Sequence, residues 1–155
     1  MKMQFLTDLF HNPIFLSAGL GWLIAQVLKT IIHLIITRQF VPERLVGSGG
    51  MPSCHSATVC ALTTATGMIH GASGYEFAIS CMFAIVVMYD AMGVRRAAGN
   101  QAKVLNEMIT MFSHMGKDLS PNDKLKEFIG HTPIQVFAGA ILGIAIAVLI
   151  CTHMV

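Results

Sequence analysis

The sequence predicts an all-α integral membrane bundle of about four transmembrane helices with short interfacial helices, and three observations predict it. Hydrophobic residues make up 54% of the 155-residue chain, and the mean hydropathy is +0.66. Only 12% of residues are charged, against roughly 25% in soluble globular chains. The apolar residues also gather into stretches of about 20, the helical length that crosses a hydrocarbon layer of about 30 Å. Too little polar material remains to coat a water-facing surface, which excludes a soluble monomer and a disordered chain. A net charge of +2 gives no footprint for a nucleic-acid partner, so membrane lipids are the expected surroundings.

Taken in order, residues 3–10 form a short interfacial helix, and no cleavable leader is expected there because Lys2, Gln4, Thr7 and Asp8 alternate with apolar residues. A first span over residues 14–36 opens after the Asn12-Pro13 breaker and is interrupted by Lys29 and His33. A connection over residues 37–51 carries Pro42 and the run Gly47-Ser48-Gly49-Gly50, which favours irregular backbone. The second span, residues 56–73, is rich in Ala, Thr and Gly, a composition suited to close packing among other helices. A tight turn near residues 70–74 leads into a third span over residues 75–94. The long polar stretch 95–132 follows, in which Leu105, Met108, Ile109, Phe112 and Met115 recur at helical spacing. That recurrence predicts an amphipathic extension whose stripe faces the core or lies at an interface. Ser120-Pro121 and Gly130 bracket a short helix over residues 121–129. The fourth span covers residues 133–152. The whole reads as a single transmembrane domain, residues 1–155, with a polar cytoplasmic insert at about 97–130.

Four crossings put both long connections on one membrane face. Of the ten Lys and Arg, that face receives Arg38, Arg44, Arg95, Arg96, Lys103, Lys117, Lys124 and Lys126. Only Lys2 falls on the other side, and Lys29 lies within a span. The positive-inside tendency therefore assigns the connections to the cytoplasm, as in the plasma membrane of a bacterium. The cysteines Cys54, Cys60, Cys81 and Cys151 have no paired spacing and read as small hydrophobes. With no helix-spaced ligand pair, His55, His131 and Cys54 are not expected to bind a metal, and no cofactor is called for. Composition leaves the oligomeric state open, a homo-oligomer included.

The same face collects the residues capable of chemistry. His55 occupies the first turn of a helix that opens after Pro52-Ser53, and His131 precedes Thr132-Pro133, an N-cap with a first-turn proline. Arg95 and Arg96 follow Asp90 by about one turn, and a carboxylate inside a span is costly unless paired, here with Arg95 or Arg96. Taken singly, each has a plainer reading: a local hydrogen bond for either histidine, a topological anchor for the arginines and snorkelling for Lys29. Together, two helix N-termini, two histidines and an arginine pair make a site for a small, highly charged anion such as phosphate.

Three blocks carry a family resemblance: Gly49-Gly50-Met51-Pro52-Ser53-Cys54-His55-Ser56, the run from Tyr89-Asp90 through Arg95-Arg96 to Asn100-Gln101-Ala102 with Leu105-Asn106 beyond it, and Gly130-His131-Thr132-Pro133-Ile134-Gln135-Val136. With these the chain resembles the divergent branch of the type 2 phosphatidic acid phosphatase superfamily over most of residues 29–143. The resemblance implies metal-independent hydrolysis of a phosphorylated lipid through a phosphohistidine. It assigns His131 as nucleophile, His55 as general acid and then base, and Gln135 as the partner of His131. Lys29, Arg38, Ser53, Arg95 and Arg96 would hold the phosphate, with Asp90 supporting. The chain departs from the superfamily pattern in three places. Lys29 and Arg38 are spaced by eight residues rather than six with no proline after Arg38, Cys54 stands where glycine is usual, and Gln135 stands where the superfamily has aspartate. An amide accepts the histidine's hydrogen bond but supplies no charge to stabilise an imidazolium. The competing class is a membrane protein that binds or moves a phosphorylated lipid without hydrolysing it. A third is a structural scaffold whose arginines only set topology.

Overall fold

A computed structural model describes residues 2–39, 47, 49–115, 125 and 130–154, and all the regular structure among them is helical. The elements are α1 (Lys2–Phe10), α2 (Pro13–Thr37), α3 (Cys54–His70), α4 (Tyr75–Met92), α5 (Val94–His114) and α6 (Pro133–Met154). Apart from Leu125, the expected short helix at residues 121–129 lies outside the described residues, as do Arg44, Lys117, Lys124 and Lys126.

Local chemistry explains the boundaries. The Asn12 side chain accepts hydrogen bonds from the backbone N–H groups of Ile14 (2.9 Å) and Phe15 (3.2 Å), and Pro13 fills the first helical position, so α2 starts fully capped. It ends where Arg38 adopts a left-handed conformation, φ 54°. Gly71, φ 80°, stops α3 and supplies the tight turn. Gly93, with φ −96° and ψ −91°, interrupts what is otherwise a run of helix from Tyr75 to His114.

The centre of the bundle is α3, which packs against α2, α4 and α6. Its buried residues are small: Cys54, Ser56, Ala57, Cys60, Ala61 and Ala65 among them. Facing them are Gly21 and Ala25 of α2, Ala84 of α4, and Gly139, Gly143, Ala147 and Cys151 of α6. A Cβ at Gly139 would collide with the Ser53 backbone, and one at Gly143 with the Ala57 carbonyl. In lipid there is no hydrophobic drive between helices, so association depends on this close backbone approach. The outer surface is apolar instead, with Trp22, Val27, Ile31, Phe83, Ile144 and Leu149 exposed.

Among the described residues three stretches are long and apolar enough to cross a membrane: Pro13–Thr37, Tyr75–His114 and Pro133–Met154. Helix α3, with 17 residues and about 26 Å of length, is too short to count among them, and its Ala, Thr and Gly content suits close contact. In α5 the stripe does not face the core. Leu105, Met108, Phe112 and Met115 are exposed, while Gly99, Ala102 and Asn106 on another side of the helix are buried.

Candidate functional site

The site forms where the helix starts meet. Ser53 caps α3: its Oγ accepts from the Ser56 N–H (3.3 Å) and from the Ser56 hydroxyl (3.1 Å). Its own N–H donates to the Gln135 carbonyl (3.0 Å), which ties the start of α3 to the first turn of α6. Helix α6 opens with a reciprocal cap. The Thr132 N–H donates to Gln135 Oε1 (3.0 Å), and the Gln135 N–H reaches Thr132 Oγ1 (3.5 Å). A third helix start was not anticipated from the sequence. The His131 N–H donates to the Ala91 carbonyl (2.9 Å) at the end of α4. Gly130, φ 97°, lies so close to the Arg95–Arg96 backbone that a Cβ would overlap it. The amino ends of α3, α5 and α6 thus gather around His131, and each contributes partial positive charge.

Within this ring the His55 and His131 side chains meet edge to face, with ring centroids 5.9 Å apart. His131 is 2% exposed and His55 half-buried. The Nδ1 of His131 faces Gln135 Oε1 at 3.3 Å, while its Nε2 is buried with no hydrogen-bond partner among the described residues. Burial pushes the His131 imidazole below the ordinary histidine value of 6.5, and the nearby His55 and Lys29 add to that. The Gln135 hydrogen bond and the Gly50 backbone pull the other way and lose. The shift favours the neutral ring, and its Nε2 carries no hydrogen bond among the described residues.

Lys29 does not snorkel. It is 2% exposed, its Nζ donates to the Gly47 carbonyl at 2.6 Å, and its stem runs under Gly50, where a Cβ would come within 2.9 Å of Lys29 Cδ. The glycine run therefore serves close approach to a buried cation, with Gly49 (φ 94°) and Gly50 (φ 86°) both left-handed. Asp90 pairs with Arg95, whose Nε bonds its carboxylate. Arg95 and Lys29 both act electrostatically on His55. Arg96 is exposed beside them. Arg38 is exposed at the end of α2, and no interaction among the described residues joins it to the histidine pair. Cys54 is buried, its Sγ 3.8 Å from His55 Nδ1. Among the described residues no three His, Cys, Asp or Glu side chains converge as metal ligands would.

Sequence reasoning gave Asn106 no role. It is buried, its Nδ2 donates to the Leu125 carbonyl (2.9 Å), and its Oδ1 accepts from the Leu125 N–H (3.0 Å). This clamps the chain returning from α5 six residues before His131. The signal available was a lone asparagine on the helix face that also carries Gly99 and Ala102.

The chain is thus a helical membrane bundle in which two histidines lie beside a buried lysine and a paired arginine. The chain belongs to the Divergent PAP2 family, whose model matches residues 10–146. An uncharacterized membrane protein of Bacillus subtilis, YuiD, is 39% identical over 152 residues, covering 92% of this chain and 96% of its own length. No solved structure matches.

Proposed function

We propose that this chain is a membrane-embedded phosphatase that hydrolyses a lipid phosphate or pyrophosphate through a phosphohistidine, with its site at the cytoplasmic face. The observation that carries the reading is the buried, unengaged Nε2 of a neutral His131 in ring contact with His55. Nε2 attacks phosphorus in line, the P–O bond to the lipid breaks, and His55 protonates the departing alkoxide. Water, deprotonated by His55, then cleaves the P–N bond and releases phosphate. Lys29, Arg95 and Arg96, with the amides at Ser53–His55, oppose the charge on the equatorial oxygens, and Arg38 is available at the rim. Asp90 holds Arg95, and Gln135 orients His131. The lipid tail enters between helices from the surrounding bilayer.

Purified protein should release phosphate from phosphatidic acid in EDTA, and His131→Ala and His55→Ala should abolish release. Gln135→Glu keeps the helix cap, since glutamate is equally suited to that position. It also adds the missing charge and should raise the rate about tenfold or more. A second reading has its own observation. The shorter bond of Gln135 Oε1 goes to the Thr132 N–H rather than to His131, so the amide serves the cap first. Retention of phosphatidic acid without release, unchanged in Gln135→Glu, would establish binding in place of hydrolysis.

A further inference from the structure

Helix α5 presents a face that no other part of the described chain covers. Val104, Leu105, Met108, Met111, Phe112 and Met115 are all exposed. Placed at 100° per residue, they fall within one arc of about 120°. The opposite side of the helix is occupied: Gly99, Ala102 and Asn106 are buried, and Asn106 is bonded to Leu125. Among the other helices α5 packs only against α4.

Length decides what can lie against that arc. The helical run Tyr75–His114 has 40 residues, about 60 Å of helix or twice the hydrocarbon thickness of a bilayer. The 18 residues of α4 account for about 27 Å, one hydrocarbon thickness, and α5, with Arg95, Arg96, Lys103 and Glu107 among its 21 residues, is too polar to form a second span. It begins at Gly93, level with the histidine pair, and the apolar surface of α4 above that break, with Phe83 and Val86 exposed, is continuous in character with the outer surfaces of α2 and α6. One flank of the arc carries the exposed Arg96 and Lys103, the latter 4.0 Å from Glu107, a net positive edge, whereas Arg95 lies on the opposite side of the helix and is paired with Asp90. An apolar arc with a net positive edge along one flank fits the boundary between acyl chains and anionic headgroups.

We propose that α5 is an interfacial helix, seated by its apolar arc in the leaflet on the side of the histidine pair and favouring anionic lipid there. This docks the α4–α5 corner, and with it the ring of helix starts around His131, at headgroup depth. The occupant is the lipid surface and not a second copy of the chain.

The test uses full-length protein in phospholipid vesicles. In a Trp22→Phe background, which removes the sole tryptophan, Met108→Trp and Met111→Trp are compared separately with Lys103→Trp. Lipids brominated near the top of the acyl chain should quench the first two about twofold or more and leave the third nearly unaffected. Brominated phosphatidylglycerol should quench more than brominated phosphatidylcholine at equal mole fraction. Two independent positions on the arc guard against one variant failing to fold. Absence of bromolipid quenching at both overturns the proposal, as does emission that responds to protein density instead of to lipid, the signature of a second copy on this face. Equal quenching by the two headgroups would overturn the preference for anionic lipid.

Discussion

The seam between α3 and α6 and the ledge formed by α5 hold the same histidine pair by different physics. In the seam, backbone lies on backbone: Gly139 faces Ser53 and Gly143 faces Ala57 with no room for a methyl group. His55 stands at the start of α3 and inherits that rigidity. At the ledge, the chain before His131 is pinned at a few polar points. These are the Asn106–Leu125 pair, Gly130 on the Arg95–Arg96 backbone, and the His131 N–H on Ala91. Contacts of the first kind fail together, whereas pins can be drawn one at a time. Stability should therefore be concentrated in the seam and catalytic geometry in the ledge.

The largest effect is expected from the seam. Gly143→Ala should lower stability by about 1–3 kcal/mol, because the obstruction is the Ala57 backbone and not a side chain that can swing away. Gly19→Ala is the comparator: nothing lies within 4 Å of a Cβ there, and it should be neutral or stabilise by up to about 1 kcal/mol. Thermal midpoints in detergent read both. Equal midpoints for the two variants would mean that the seam yields and that the contrast with the ledge is unfounded.

At the ledge, Asn106→Ala removes both bonds to Leu125 and should cost about 1–2 kcal/mol, less than a full seam failure. Phosphate release should fall by more than the loss of folded protein explains, because the segment leading to His131 is no longer fixed. Asn106→Asp keeps the acceptor for the Leu125 N–H and should recover part of the release. Release in Asn106→Ala that simply follows the folded fraction would move Asn106 from positioning to stability alone.

His131 joins the two regions, and its protonation gives a pH test. Its folded pKa lies below 6.5 because the site desolvates the ring. The unfolded chain therefore takes up the proton first as pH falls, and folding stability is full above about pH 6.5 and declines below it until the folded ring also protonates. Phosphate release should fall on the acid side at a pH below that of an ordinary histidine. Gln135→Glu places a negative charge on the ring and should shift that acid limb upward. An unshifted limb would detach the titrating group from His131.

The sequence made three of the four expected spans legible because hydrocarbon thickness imposes a length, and length survives in composition. It made both histidines legible because Pro52-Ser53 and Thr132-Pro133 are local start signals that need no tertiary knowledge. Periodicity found the α5 stripe but not its direction, since it reports which residues share a face and not what stands opposite. The burial of Lys29 was hidden for a similar reason. A lysine near mid-span is equally compatible with snorkelling until Gly50 is seen to pass over its stem. Gly139 and Gly143, spaced by four, were a readable sign of close helix contact, although nothing in the spacing named α3 as the partner. Asn106 and Gly130 act across the insert, where local patterns carry no information about the return path.

The smallest effect on stability, and the finest probe of the ledge, is Asp90→Asn. The Asp90 and Arg95 side chains are 35% and 46% exposed, so the pair should contribute no more than about 1 kcal/mol, and the melting midpoint should barely move. The proposed phosphate site should respond more. A carboxylate bound to Arg95 competes with a phosphoryl group for the same guanidinium, and it also places negative charge near His55. Removing that charge while keeping the shape should lower KM for a lipid phosphate several-fold, with kcat little changed. A raised KM would have the opposite meaning, that Asp90 aims Arg95 at the substrate. The sign of the change decides whether this ion pair rivals the substrate or prepares for it.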